Sequence, residues 1–417
     1  MRVLSVTSRL PFPPVTGHKS LRYHRLKGLA DAGDEIFCAS FVDDRRYLAS
    51  KPEFIRTLRL LPRKSLGSLA SVGFNSVIRR RWSIQSSLHY SRSVFKNLAN
   101  WGAEFGPDVV VCDMLRLGPL VHPLPYPKVL DMDDLLSARY AELLSSDQTG
   151  TALGQFGKTL PGPMRAMAQL AVRPALMLER SLIHKQETRA AKDFDEVVLV
   201  SAAEAERLAN ETGADNIHSV PMAVTIPTTR ISQVDPRRDG WMILLTGVMN
   251  LSHNVDAALE LVEQIFPVIL KRFPNAHVCL AGSDPAASVR KVAGAGVEVT
   301  GHVPDLKPYL DKAAVFVAPL RIGTGVKTKL LEAMANGVPV VTTPLGALGV
   351  TSAHSDPTPM TLREEPGELA EAICELLSDS LERERLAHDG YEFVRRHYST
   401  DVVSNRFREI LVKACGT

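Results

Sequence analysis

The chain has 417 residues, 45% hydrophobic and 23% charged, with a formal net charge of +3. It is too long for a single growing core, so two globular domains are expected. No run approaches the ~20 apolar residues that span a bilayer and no apolar leader follows Met1-Arg2; five scattered cysteines without a C-x-x-C pair argue against a disulfide framework or thiolate metal site and fit a reducing cytoplasm.

The charge is unevenly divided. Residues 1–192 hold 28 Lys+Arg against 16 Asp+Glu, and the remainder 21 against 30. The basic first half suits an anionic membrane surface, an acidic glycan or a phospholipid-linked acceptor, or simply complements the acidic second half. Nucleic acid is set aside, because no binding motif accompanies the charge.

In chain order, Arg2 to Thr7 predicts a strand and Ser8 to His18 a loop stiffened by prolines and turned at Gly17. From Lys19, Leu21, Leu26, Leu29 and Ala30 make a helical stripe that Gly33 ends, before a strand from Glu35 to Phe41. This opening starts a doubly wound sheet, whose ligands sit at the carboxyl ends of strands. No G-x-G-x-x-G follows, which weighs against a dehydrogenase. Phe54 to Lys64 and Val77 to Trp82 interleave apolar residues with arginine. That pattern fits an amphipathic segment in a membrane interface, or packed helices with snorkelling arginines. Pro107 to Asp113 and Lys128 to Asp134 are strands, and the second runs into three carboxylates, Asp131, Asp133 and Asp134. Three readings stand for that cluster: an N-cap from Asp133 or Asp134 for a helix at Leu135, a general base or hydroxyl clamp, and a metal-holding D-x-D. Residues 145–163 read as a mobile loop, Pro163 to Lys192 as a long helix, and Phe194 to Val200 as a strand. Ser201 caps a helix from Ala202 to Thr212, with Glu204 at the third position.

Ile217 to Val224 closes a first domain assigned to residues 1–226, and a polar linker runs from Thr225 to Gly240. The pattern then restarts over a second domain, 237–397: a strand at Met242 to Thr246, a turn at Gly247, a helix from Asn254 to Arg272, and strands at Val278 to Ala281 and Val297 to Gly301. Helices follow at Pro366 to Leu377, Leu381 to His397 and Asp401 to Lys413. The 12 histidines show no zinc spacing, and no metal site is assigned. His18, beside Gly17, is singled out for contact with an acceptor or a phosphate.

The stretch from Val315 to Gly349 carries the chemistry. A β-branched run, Val315 to Leu320, breaks at Gly323-Thr324-Gly325; Val326, Leu330, Leu331 and Met334 then follow at helical spacing, with Gly337 as cap and a second apolar run at Val338 to Val341. Glycines at the head of a helix let backbone N–H groups approach an anion, so a phosphate is expected there. Glu332 would repel that phosphate and suits instead the hydroxyl pair of a ribose.

Gly323 to Val341 (GTGVKTKLLEAMANGVPVV) resembles the nucleotide-sugar signature of retaining glycosyltransferases of the GT-B fold, family 4 (glycosyl transferases group 1). The resemblance implies an α/β GT-B fold of two Rossmann-like doubly wound domains facing a cleft, acceptor-binding and donor-binding in turn, with residues 398–417 crossing back onto the first. It implies transfer of a sugar from a nucleotide diphosphate donor to a hydroxyl of a glycan or lipid-linked acceptor, with retention and without a metal or further cofactor. Cell-envelope polysaccharide synthesis in the cytoplasm, peripheral on the inner membrane face, is the matching setting. Glu332 matches the second signature glutamate; Thr324 stands where the first is expected. Gly17 would lie beside the donor, Gly247 at the diphosphate, and Gly301 and Val303 around the base. The family's diphosphate arginine and lysine fall at Val248 and Asn254. Arg321 and Lys327 are therefore chosen as the cations, with the Gly323, Thr324 and Gly325 amides. Lys329 is set aside as lying on another helix face from Lys327. A histidine common in the family is replaced by Asp113. Asp133 is kept as the acceptor-side carboxylate. The alternatives are a GT-B epimerase or hydrolase, a non-catalytic sugar-nucleotide-binding partner subunit, and a nucleotide-dependent oxidoreductase.

Overall fold

A computed structural model describes residues 1–14, 17–62, 70–145, 162–227, 241–322, 326–351, 357 and 359–416. The chain divides into two compact units: Met1–Val220 together with Ser404–Thr417, and Pro221–Val403.

The first unit is built on a seven-stranded parallel sheet: β1 (Arg2–Thr7), β2 (Glu35–Ser40), β3 (Ile55–Leu60), β4 (Val109–Asp113), β5 (Lys128–Asp133), β6 (Glu196–Leu199) and β7 (Ile217–Ser219), ordered β3-β2-β1-β4-β5-β6-β7. Leu4 sits between Phe37 of β2 and Val110 of β4, and the central strands are buried on both faces. That double burial is why they read as continuous apolar runs. The helix Gly17–Asp31 follows β1, and Gly28 lies so close to Ser404 that an added Cβ would fall 2.0 Å from the serine Oγ. Arg408 in the last helix, Thr400–Ala414, is paired with Asp34, which also holds the Met1 amino group at 2.6 Å.

The second unit repeats the design with six parallel strands: β8 (Met242–Thr246), β9 (His277–Ala281), β10 (Val297–Gly301), β11 (Val315–Ala318), β12 (Val340–Thr342) and β13 (Thr361–Leu362), ordered β10-β9-β8-β11-β12-β13. Its core joins Leu244, Leu280, Phe316, Val341, Leu331 and Ile373, all fully buried. Val224 belongs here, donating its N–H to the Tyr398 carbonyl at 2.8 Å. The helix Thr328–Ala335 between β11 and β12 ends at Gly337, which takes the left-handed conformation (φ 69°) that glycine adopts without steric cost.

Several expectations need correction. Over its described residues, up to Pro62, the Phe54 to Lys64 segment is not helical: Ile55–Leu60 forms edge strand β3, with Arg56 paired to Glu35 and Arg59 near Glu104. An edge strand leaves one side open to solvent, so arginines sit there among apolar residues without burying their charge. Val72–Ile78 is a π-helical turn. The helix expected from Asn254 to Arg272 runs Ser252–Glu260, passes through a π turn at Leu261–Ile265 and resumes at Phe266–Leu270. Pro267 cannot donate a backbone hydrogen bond, so the ladder is interrupted ahead of it. The head of the helix Leu136–Ser145 is capped by carboxylates from other helices: Glu187 accepts from Ser137, and Glu204 from the Leu135 N–H. Asp133 and Asp134 do not take that role. Most of the loop expected at 145–163 and of the linker lies outside the described residues, as do Gly323, Thr324 and Gly325.

Candidate functional site

At the carboxyl end of the second sheet, β8 and β9 finish in two glycines whose backbones touch. A Cβ on Gly282 would lie 1.7 Å from the Gly247 carbonyl oxygen, and one on Gly247 would strike Asn254. Both glycines have positive φ (157° and 155°), so this crossing admits no side chain. Asn254, buried in the helix after Gly247, donates Nδ2–H to the Val248 carbonyl at 3.0 Å and accepts Lys329 Nζ at 2.6 Å on Oδ1. Asn254 thereby ties the Gly247 turn to the head of the helix Thr328–Ala335.

Lys329, Lys327 and His253 share this corner. Burial, and then Lys327, lowers the Lys329 ammonium to about 8, and burial followed by Lys329 and Lys327 lowers the His253 imidazole. A corner that disfavours its own positive charges is stabilised by an incoming anion. Lys327 precedes the helix with non-helical backbone (φ −87°, ψ 85°). The helix starts at Thr328 rather than Val326, so Lys327 stands at its N-cap and not on one of its faces. Arg321 is placed otherwise. It forms a two-pronged pair with Glu260 at 2.7 and 3.0 Å, and Glu364 and Glu365 add negative potential, so its charge is already answered.

Glu332 follows Lys329 by one helical turn, and its side chain makes no hydrogen bond or ion pair among the described residues. It is solvent-accessible, yet protein crowds round it closely enough for desolvation to raise its carboxyl, the mark of a concave setting. Gly301 ends β10 at φ 70°, and its carbonyl accepts the Gly282 N–H at 3.2 Å. Val303 lines a cleft of about 610 Å³ that also reaches Met242 and His277 at the amino ends of β8 and β9.

In the first unit the carboxyl ends of β1, β4 and β5 surround a buried ionic network. Asp113 accepts the Ser8 N–H and Oγ–H at 3.0 Å, His18 Nε2 at 3.1 Å, and Arg22 Nε. Asp131 pairs with Arg22 and, at 3.0 Å, with Arg25. Burial alone would raise the Asp113 carboxyl, but Arg22, His18 and Ser8 outweigh it and hold it far below the usual carboxylate range. An ionised Asp113 only accepts, so His18 Nε2 donates to it, and His18 Nδ1 has no hydrogen-bond partner among the described residues. His18, Arg22 and Arg25 recur at spacings of four and three, a basic stripe legible in the sequence that the apolar stripe obscured. Gly17 opens the same helix with open space where a Cβ would go. Asp133 sits at a bulge of β5 in the left-handed region (φ 73°), and its carbonyl accepts the Val200 N–H at 2.9 Å. Among the described residues no cluster of His, Cys, Asp or Glu has the makings of a metal site.

Residues 242–379 match the family model described as glycosyl transferases group 1. A phosphatidyl-myo-inositol mannosyltransferase of Mycobacterium leprae is 25% identical over 218 residues, 50% of this chain and 53% of that protein. An uncharacterised 44.6 kDa protein in the cps region of Klebsiella pneumoniae is 22% identical over 177 residues, 40% of this chain and 45% of its own. The chain thus spans about half the length of the curated relatives it matches. Among solved structures, HepE of Anabaena in complex with UDP superposes with TM-score 0.65 at 13% identity, over 99% of this chain and 100% of that one. Sucrose-phosphate synthase of Thermosynechococcus elongatus gives 0.62 at 16%, over 99% of both. WaaG, a glycosyltransferase involved in lipopolysaccharide biosynthesis, gives 0.56 at 16%, over 98% and 99%. The fold is GT-B: two Rossmann-like α/β units.

Proposed function

We propose that this chain, a GT-B protein whose second unit carries a glycosyl transferases group 1 segment, moves a sugar from a nucleoside-diphosphate donor to a hydroxyl of a glycan or lipid-linked acceptor. Retention of configuration and independence from metal are part of the reading. The observation that carries it is the pairing, one helical turn apart, of a cationic corner (Lys327, Lys329) with an unpartnered, crowded carboxylate, Glu332. Cations beside a glycine turn suit a diphosphate, and a carboxylate beyond them suits ribose hydroxyls. Lys329 takes the place given to Arg321 from sequence, because Arg321 is committed to Glu260. Gly247 and Gly301 complete the donor surroundings at the carboxyl ends of the strands, whereas Val303 lines a cleft toward their amino ends. Lys327 and Lys329 stabilise charge on the departing diphosphate, the largest catalytic term available. The leaving phosphate takes the acceptor proton, while His18, held by Asp113, binds the acceptor hydroxyl. The names of the mycobacterial mannosyltransferase and of the UDP-bound HepE support a nucleotide donor and a lipid-linked acceptor.

Thermal unfolding with ADP, GDP, UDP and CDP in EDTA tests the donor half. One nucleotide is expected to raise Tm, by mass action on the folded state, and Glu332→Ala to remove most of the shift. No shift with any nucleoside diphosphate at millimolar concentration refutes the reading. Thr324, where the first signature glutamate is expected, favours a second reading, a non-catalytic sugar-nucleotide binder. Release of nucleotide from a sugar donor separates the two.

Peripheral contact with an anionic membrane on its cytoplasmic face belongs to the same proposal. Its support is an exposed apolar set, Phe74 (47%), Val77 (56%) and Ile78 (73%), beside exposed Arg79, Arg80 and Arg81. Apolar insertion next to basic residues is the chemistry of an interfacial segment.

A further inference from the structure

The first unit holds two half-buried arginines, Arg9 and Arg116, that have no hydrogen-bond or ion-pair partner among the described residues. Arg9 lies two residues past the end of β1 and Arg116 three past the end of β4, and these strands are hydrogen-bonded neighbours in the sheet. Among the described residues neither side chain makes a hydrogen bond or an ion pair, yet they are near enough for their charges to repel. Burial disfavours the Arg116 cation, the Asp113 carboxylate offsets part of that, and Arg9 adds to it; the group stays charged, since guanidinium does not deprotonate in proteins.

The carboxylates nearby are all engaged elsewhere. Asp113 is taken by Arg22, His18 and Ser8; Glu179 accepts the Ile84 and Gln85 N–H groups; Glu187 accepts from Ser137; Asp134 pairs with Arg139. Tyr140, the remaining polar neighbour, accepts from Gln85 and stays neutral because burial, and then Glu179, raises its phenol. The other oxygen of Asp134, Oδ1, is buried and unpartnered, and Asp134 lines the same small cavity as Arg116. That cavity measures about 20 Å³, room for one water, so a ligand rests outside it against the accessible side of the guanidinium.

We infer that Arg9 and Arg116 form the seat for an oxyanion carried by the acceptor, a phosphate or a carboxylate. Guanidinium forks fit both anions through paired N–H donors, and the carboxyl ends of β1 and β4 are where a doubly wound sheet takes its ligand. The inference deepens the proposed function by giving its acceptor an anionic class, and rests on that reading only for the word acceptor.

Arginine-specific labelling with phenylglyoxal, read peptide by peptide by mass spectrometry on the full chain, tests it. The Lys329→Ala variant is used so that anion binding at the donor corner is weakened. Probes are inorganic phosphate, glycerol phosphate, glucuronate and neutral glucose. Glycerol phosphate or glucuronate should slow labelling of Arg9 and Arg116 at least fivefold, with glucose inert. Protection by phosphates alone identifies a phosphate-linked acceptor, and stronger protection by glucuronate an acidic sugar. Arg9→Gln and, where it folds, Arg116→Gln should each weaken the effective probe about tenfold or more, the cost of a charge-assisted hydrogen bond. No protection by any anion, or equal protection by glucose, overturns the assignment. Nucleotide-induced stabilisation through Glu332 is read separately: its failure with protection intact removes the transferase and leaves the anion seat, and the converse does the reverse.

Discussion

Binding of a nucleoside diphosphate at the Lys329 corner should take up a proton. Burial and Lys327 lower the ammonium to about 8, so near pH 8 it is about half deprotonated in the free protein. A diphosphate beside it favours the charged form and lifts it back, so binding draws in about half a proton at pH 8, and affinity falls about tenfold per pH unit above that. The groups facing Lys329 are Lys327 at the helix head, and His253 and Asn254 from the helix Ser252–Glu260. His253 is itself lowered and is neutral at this pH. Isothermal titration of the stabilising nucleotide in buffers of different ionisation enthalpy reads the proton count directly. Lys329→Met should abolish the uptake and weaken binding about 10- to 100-fold, the loss of one charge-assisted hydrogen bond. The same shift predicts the stability of the free protein. A lysine lowered on folding costs stability while it is charged, so stability should rise from about pH 8 toward 10.5, and Lys329→Met should flatten that rise. Nucleotide binding that is independent of buffer, and pH-independent between 7.5 and 9, would refute the placement of the diphosphate.

Three further outcomes are expected. Gly282→Ala drives a Cβ into the Gly247 carbonyl at positive φ; it should cost about 2–4 kcal/mol in urea unfolding and weaken nucleotide binding by shifting the Gly247 turn. Asp113→Asn leaves Arg22 buried beside a neutral partner and should cost about 3–5 kcal/mol. Because Asp113 is depressed on folding, its contribution is present above an unfolded value near 3.9 and lost as pH falls below it, so the variant should show a shallower acid limb in a pH series of unfolding curves. Phe74→Ser with Ile78→Ser removes two exposed apolar side chains worth about 1.5–3 kcal/mol each on burial; sedimentation with phosphatidylglycerol vesicles should fall at least tenfold, and wild-type binding to neutral phosphatidylcholine should be weak.

The strand, helix and strand at Val315–Ala318, Thr328–Ala335 and Val340–Thr342 and the two doubly wound halves are legible in the chain, because hydrophobic period, glycine placement and helix signals are local properties of sequence. Partners are not local. Arg321 and Lys329 are both cations near one glycine turn, and only the fold delivers Glu260 to the first and Asn254 to the second. Asp131 reads as one of three equivalent carboxylates until Arg22 and Arg25 close over it from the helix after β1. Phe54 to Lys64 reads as a basic amphipathic segment until β2 supplies an edge to pair with. The sequence determined which chemical groups exist and at what spacing along each element. Which of them remain uncompensated, and therefore ready for a ligand, was decided by tertiary packing, because a charge is cancelled by whatever the fold brings within a few ångströms of it.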